Sequence, residues 1–146
     1  METFVVDTSV IVKWYNQTNE SRTQQAHQIL LDLKAERVTI IVPDIAALEL
    51  LNVLIKSKSL SINKVKNTIK HLFSLPIVIK EISQTILDQT TEIMGTYQIA
   101  AYDALFVATA KYENCKLISD DTKAHGKITD GTVIMLDDYP PHLLKE

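Results

Sequence analysis

The chain has a single cysteine, Cys115, among its 146 residues. No intramolecular disulfide can form, and a lone thiol with no base partner reads as a small buried hydrophobe rather than a nucleophile. Glycine and proline are scarce, at three and four residues. No linker, repeat or low-complexity tract interrupts the sequence, so one domain over residues 1–146 is expected. No apolar run reaches the roughly 18 residues of a membrane span, and Glu2 stands where a secretory leader carries positive charge. A soluble, cytoplasmic protein is the expectation. An excess of basic residues is also missing: 15 Lys and Arg against 18 Asp and Glu give a net charge of −3, which excludes a protein that coats nucleic acid by bulk charge.

The charge is unevenly placed. From Leu51 to Lys80 there is no acidic residue, while Lys56, Lys58, Lys64, Lys66, Lys70 and Lys80 fall in that window. Such a segment is either a solvated helical face or a patch that meets a polyanion.

Five short runs rich in β-branched residues, Thr3–Val6, Val38–Val42, Pro76–Ile79, Lys116–Ile118 and Thr132–Leu136, do not alternate strictly. They read as strands buried on both faces. Between them lie helical stretches at Ser9–Tyr15, Ser21–Lys34, Asp44–Lys58, Ser61–Leu75, Ser83–Met94 and Ala100–Tyr112. Ser21 and Gln24 have capping-box spacing, and Asp44 after Pro43 is placed to open the third helix. Alternating strands and helices imply parallel pairing through right-handed crossovers and a three-layer α/β sandwich. The functional crevice of such a sheet lies beyond the C-terminal ends of its strands.

Asp7 directly follows the first strand, in VVDTSV, with Thr8 and Ser9 as hydroxyls that cap the next helix or orient a ligand. In DIAALELLNVLIK the apolar residues cannot share one face, so burial on more than one side is expected, and Glu49, Asn52 and Lys56 form a polar stripe at i, i+3 and i+7. Asp103 is the only charged residue from Ile99 to Ala110. Buried there, an ionised carboxylate costs several kcal/mol unless it is paired, hydrogen-bonded or metal-bound; a lysine partner or a helix N-terminal position are the simple explanations. CKLISDDTK adds Asp120 and Asp121. Carboxylates converging from four segments raise one another's pKa. Mg²⁺ or Mn²⁺ relieves that repulsion, and metal-assisted attack of water on a phosphodiester is the natural chemistry of such a set.

FVVDTSVIVKWY, ALELLNVLIK, YDALFVATA and KLISDDTK together resemble the four sequence blocks of PIN-domain ribonucleases, especially the toxins of VapBC-type toxin–antitoxin pairs. The resemblance covers essentially the whole chain. It implies a three-layer α/β/α sandwich on a parallel five-stranded sheet, Mg²⁺- or Mn²⁺-dependent endonuclease activity on RNA, a cognate antitoxin and a homodimer. Asp7, Glu49 and Asp103 match the first three family acids, and Ser9 the small polar residue of the first block. Aligned on Leu117 and Ile118, Ser119 takes the place of the usual Thr, and Asp121 that of the fourth acid. Metal ligation then falls to Asp7, Asp103 and Asp121, with Glu49 holding the attacking water or a second metal. Asp120 is an extra charge, expected to be solvated, and the glycine often found shortly before the Tyr-Asp block is absent.

Other residues have plainer expectations. His27 and His71 lie on helices, His142 near the C-terminus, and His125, four residues after Asp121, is expected at the surface, since zinc needs further His or Cys ligands. Trp14 and Tyr15 are read as packing residues rather than base platforms. Lys56 and Lys58 are candidate RNA contacts. Two competing functions are weighed: a phosphatase with Asp7 as nucleophile, which wants a second Asp where Ser9 stands, and a non-catalytic PIN-like interaction module.

Overall fold

A computed structural model describes residues 1–140; His142 lies outside them. Five strands, β1 (Glu2–Val6), β2 (Val38–Pro43), β3 (Val78–Lys80), β4 (Lys116–Ser119) and β5 (Val133–Met135), form one sheet in the order β3-β2-β1-β4-β5, every pair parallel. Val5 sits opposite Ile41 on one side and Leu117 on the other. In the middle of the sheet Val5, Val6, Ile40, Leu117 and Ile118 are fully buried, which is why these runs carry no polar alternation. Each such side chain contributes about 1.5–3 kcal/mol by leaving water. The edge departs from the expectation: Val78 and Ile79 of β3 are exposed, because β3 has a strand on one side only.

The helices are α1 (Thr8–Tyr15), α2 (Thr23–Lys34), α3 (Ala46–Asn52), α4 (Ile62–Ser74), α5 (Gln84–Tyr97) and α6 (Ala101–Tyr112). The chain steps outward from β1 to β2 to β3 and then returns across the sheet to β4. Right-handed crossovers therefore place α5 and α6 on the face opposite α1 to α4, giving the three-layer α/β/α sandwich. α6 lies against β1, β2 and β4 with α5 on its other side, so every residue from Ala104 to Ala110 is buried. Its apolar circumference follows from that central position.

Local departures have identifiable causes. The Ser21–Gln24 capping box is not formed: Arg22, at φ 52°, precedes α2 without a side-chain cap, and the Ser21 carbonyl accepts from Lys13 Nζ at 2.7 Å instead. Asp44 does not open α3, because its N–H donates to the Lys80 carbonyl at 2.9 Å and extends the β2–β3 ladder. After α3 the chain is wound as a π-helix over Val53–Ser57. Burial on this segment is one-sided, contrary to expectation: Ala46, Leu50 and Leu54 are buried at four-residue spacing, whereas Leu48 is 64% exposed and Ile55 is also exposed. Trp14 packs as expected, its indole N–H donating to the Ala26 carbonyl at 2.8 Å.

Candidate active site

The strand order reverses between β1, which continues to β2, and β4 on its other side. A crevice opens where the C-terminal ends of these two strands diverge. The Asp7 N–H donates to the Ile118 carbonyl at 3.0 Å, the last rung before β1 and β4 part. Asp7 is only 6% exposed and is itself the cap of α1, its Oδ2 accepting from the Ser9 N–H at 3.2 Å. This frees the two hydroxyls expected to cap: Thr8 Oγ1 donates to Glu49 Oε1 at 3.1 Å, and Ser9 Oγ accepts from the Asp120 N–H at 3.0 Å. Ser9 thus ties the start of α1 to the end of β4.

Glu49 reaches the crevice from α3. Burial, then the charge of Asp7, push its carboxyl up from 4.5 to about 7; Asp103 adds to the rise, while the Thr8 hydrogen bond and His125 oppose it. Asp103 stands in the first turn of α6, whose cap residue Ala100 has no side chain to offer. Its carboxyl is raised chiefly by burial, with Asp121 and Asp7 adding and His125 opposing. Of the two simple explanations for Asp103, the helix N-terminal position holds, and among the described residues no lysine pairs with it. Asp121 caps the following turn, its Oδ1 accepting from the Ala124 N–H at 3.0 Å. The charges of Asp7 and Asp103 thus bear on Glu49, and those of Asp121 and Asp7 on Asp103.

Ser119 and His125 form the floor. Ser119 Oγ accepts from the Asp121 N–H at 3.0 Å, stands 2.6 Å from His125 Nδ1, and makes a long 3.5 Å contact to Asp7 Oδ2. His125 is not at the surface: it is wholly buried, edge-on to Phe106, and its Nε2 lies 2.9 Å from the Asp103 carbonyl. A carbonyl can only accept, so Nε2 carries a proton. His125 therefore joins α6 to β4 beneath Asp7, 4.0 Å from its Oδ2. The sequence signal for this was proximity to Asp121 alone, and the burial came from the turn that folds residue 125 inward.

Asp120 is not solvated. Lys13 Nζ, 3% exposed, lies 2.9 Å from its Oδ2, and Arg22 Nε 2.5 Å from its Oδ1. Lys13 also holds Glu20 at 2.8 Å, and Glu20 takes Lys58 at 2.6 Å. Lys58 is thus engaged by its own chain, which also accepts its ammonium at the Thr18 carbonyl, while Lys56 is exposed. Cys115 is half-buried at the opposite end of β4, where burial pushes its thiol up. A cavity of about 700 Å³ at that end, bounded by Met1, Cys115 and Lys116, is remote from the acids.

Among the described residues no three His, Cys, Asp or Glu side chains stand close enough together to enclose a metal ion. Mg²⁺ does not require such a cage, since it keeps several waters and is held by one or two carboxylates. The donor set fits: oxygen ligands only, with the carboxyls of Glu49 and Asp103 raised chiefly by burial and further by neighbouring carboxylates.

The sequence model of the PIN domain family matches residues 4–128. No curated protein gives a significant match. Among solved structures, VapBC2 from Rickettsia felis, bound to a DNA fragment from its promoter, has a chain 20% identical with a TM-score of 0.70, covering 91% of this chain and 98% of that one. A toxin–antitoxin complex from Klebsiella pneumoniae gives 21% identity and a TM-score of 0.67, covering 90% and 96%. VapC20 from Mycobacterium tuberculosis, a Sarcin-Ricin loop cleaving toxin, gives 13% and 0.64, covering 80% and 86%. At these identities the likeness is one of fold.

Proposed function

Because the chain belongs to the PIN-domain family, we propose that it is a Mg²⁺- or Mn²⁺-dependent endoribonuclease, one PIN domain over residues 1–146, and the toxin of a toxin–antitoxin pair. What supports the reading is the cavity wall shared by Asp103 and Asp121, the Thr8 bond to Glu49 next to Asp7, and the rise of Glu49 to about 7 by burial and by the charges of Asp7 and Asp103.

Asp7, Asp103 and Asp121 would hold the cation, which when bound would supply Lewis-acid activation of water and stabilisation of the leaving oxygen. The protein's own residues do the rest. Thr8 holds Glu49 Oε1 and leaves Oε2 free to orient the attacking water and accept its proton; a carboxyl near 7 is matched to that task at neutral pH. Ser9 and Ser119 hold the backbone of Asp120 and Asp121.

RNA as substrate is supported by the Sarcin-Ricin loop cleaving neighbour, and a cognate antitoxin by the toxin–antitoxin complexes of the same fold. The exposed apolar side chains Leu48, Ile55 and Ile62 suit a homodimer contact. An RNA substrate favours a cytoplasmic location. The test is cleavage of RNA by purified protein with Mg²⁺, Mn²⁺ or chelator, beside Asp7→Asn. Metal-dependent cleavage that disappears in Asp7→Asn is expected; cleavage that survives chelator, or full activity in Asp7→Asn, refutes the proposal.

A further inference from the structure

A cavity of about 420 Å³ is bounded by Asp103, Asp121, Ala100, Gln98, Lys123 and Lys127. Two ammonium groups thus share a wall with two of the four acids. Lys123 and Lys127 form no ion pair among the described residues, unlike Lys13, Lys58, Lys80 and Lys111. Both are exposed, yet the turn that carries them is braced: the His125 N–H donates to the Asp121 carbonyl at 2.9 Å, the Lys127 N–H to the Ala124 carbonyl at 3.2 Å, and the buried His125 lies between the two lysines in sequence. The basic segment of the middle third bears differently on the acids, since Lys58 is held by Glu20 and none of its lysines borders this cavity.

We propose that Lys123 and Lys127 form a subsite for the phosphate adjacent to the scissile one, so that the RNA backbone leaves the acidic centre along the 121–127 turn. This rests on the ribonuclease reading above. Four carboxylates repel a polyanion, and a strand crossing them needs compensating charge on the flanking phosphate. A compact ammonium on a flexible stem supplies that charge without base preference. The subsite acts on binding and makes no demand on the reacting atoms.

The test uses the Asp7→Asn protein, which keeps the strand intact, and fluorescence anisotropy of a short labelled single-stranded RNA titrated across about 50 to 200 mM salt. Adding Lys123→Ala and Lys127→Ala is expected to flatten the plot of log affinity against log salt by about 0.7 for each phosphate that is no longer neutralised. Lys123→Arg with Lys127→Arg retains the slope, and Lys34→Ala, on the end of α2, leaves it unchanged. In the active protein the double alanine variant raises KM with kcat preserved, as expected when uniform binding is weakened. If the parent protein neither binds nor cuts RNA, the ribonuclease reading and the subsite fall together. If it cuts RNA and the double alanine variant keeps the parent salt slope and KM, the subsite alone is overturned.

Discussion

Replacing Glu49 by Gln tests the electrostatics of the crevice without requiring catalysis. Glu49 has a folded-state value of about 7 against an ordinary 4.5. Between these values the folded protein binds the proton more tightly than the unfolded chain, so stability is present at low pH and is lost as pH rises from 4.5 through 7. At about 1.4 kcal/mol per pH unit the full difference is about 3 kcal/mol. Glu49 is only partly buried, and solvent screening reduces this to about 1–2 kcal/mol. Gln keeps an oxygen to accept the Thr8 hydroxyl and carries no charge at any pH. Glu49→Gln is therefore expected to match the parent protein near pH 5 and to exceed its Tm at pH 8 by about 2–8 °C. Calorimetry at both pH values, with and without Mg²⁺, reads the effect. Mg²⁺ should stabilise the parent protein at pH 8 and narrow the gap, because a cation beside Asp7 offsets the negative charge that adds to burial in raising Glu49. A Tm difference that is the same at both ends of this pH range refutes the reasoning.

Two further predictions concern the partners of the acids. Thr8→Val removes the hydrogen bond that lowers Glu49, so its carboxyl rises further; if Glu49 accepts the proton of the attacking water, the acidic limb of the pH–rate profile moves to higher pH, and an unmoved limb removes Glu49 from that role. His125→Phe fits the apolar contact with Phe106 but leaves Ser119 and the Asp103 carbonyl each short of one partner; a decrease of about 1–3 kcal/mol is expected from urea unfolding, and an unchanged midpoint shows that the two bonds contribute nothing net.

The fold was legible because the strand signal here is local. Short β-branched runs separated by amphipathic stretches located all five strands and six helices to within a few residues, and parallel pairing followed from the alternation. Where the expectation failed, a tertiary contact decided. Ser21 had the spacing for a cap, but its carbonyl was claimed by Lys13 from another helix. Asp44 had the identity of a cap but continued a ladder with Lys80. The apolar richness of α3 suggested burial on several sides, whereas its position in the layer buries one. The acids were legible for a different reason: a carboxylate in an apolar context is anomalous in sequence and asks for a partner. Their supporting groups were not. His125, Lys13 and Arg22 are ordinary in their local sequence, and only the meeting of α1, α6 and β4 gives them their contacts.

Asp120 and Asp121 show how position at a strand end divides two identical side chains. Successive residues of an extended chain face opposite ways, and β4 ends at Ser119, so the next residue is directed toward α1 and the α1–α2 loop while the one after begins the turn that caps on Ala124. Directed toward α1, Asp120 meets Lys13 and Arg22, and its charge is neutralised there. Were it unpaired, another carboxylate charge would stand near Glu49 and Asp103, which burial and neighbouring carboxylates already raise. The buried Lys13 has a reciprocal need, since a lone ammonium at 3% exposure costs several kcal/mol without acceptors. Lys13, Glu20, Arg22 and Asp120 thus satisfy one another at the junction of α1 and β4. The distinction between the two aspartates is made by the strand and by the cations on one side of it, which neither residue reveals alone.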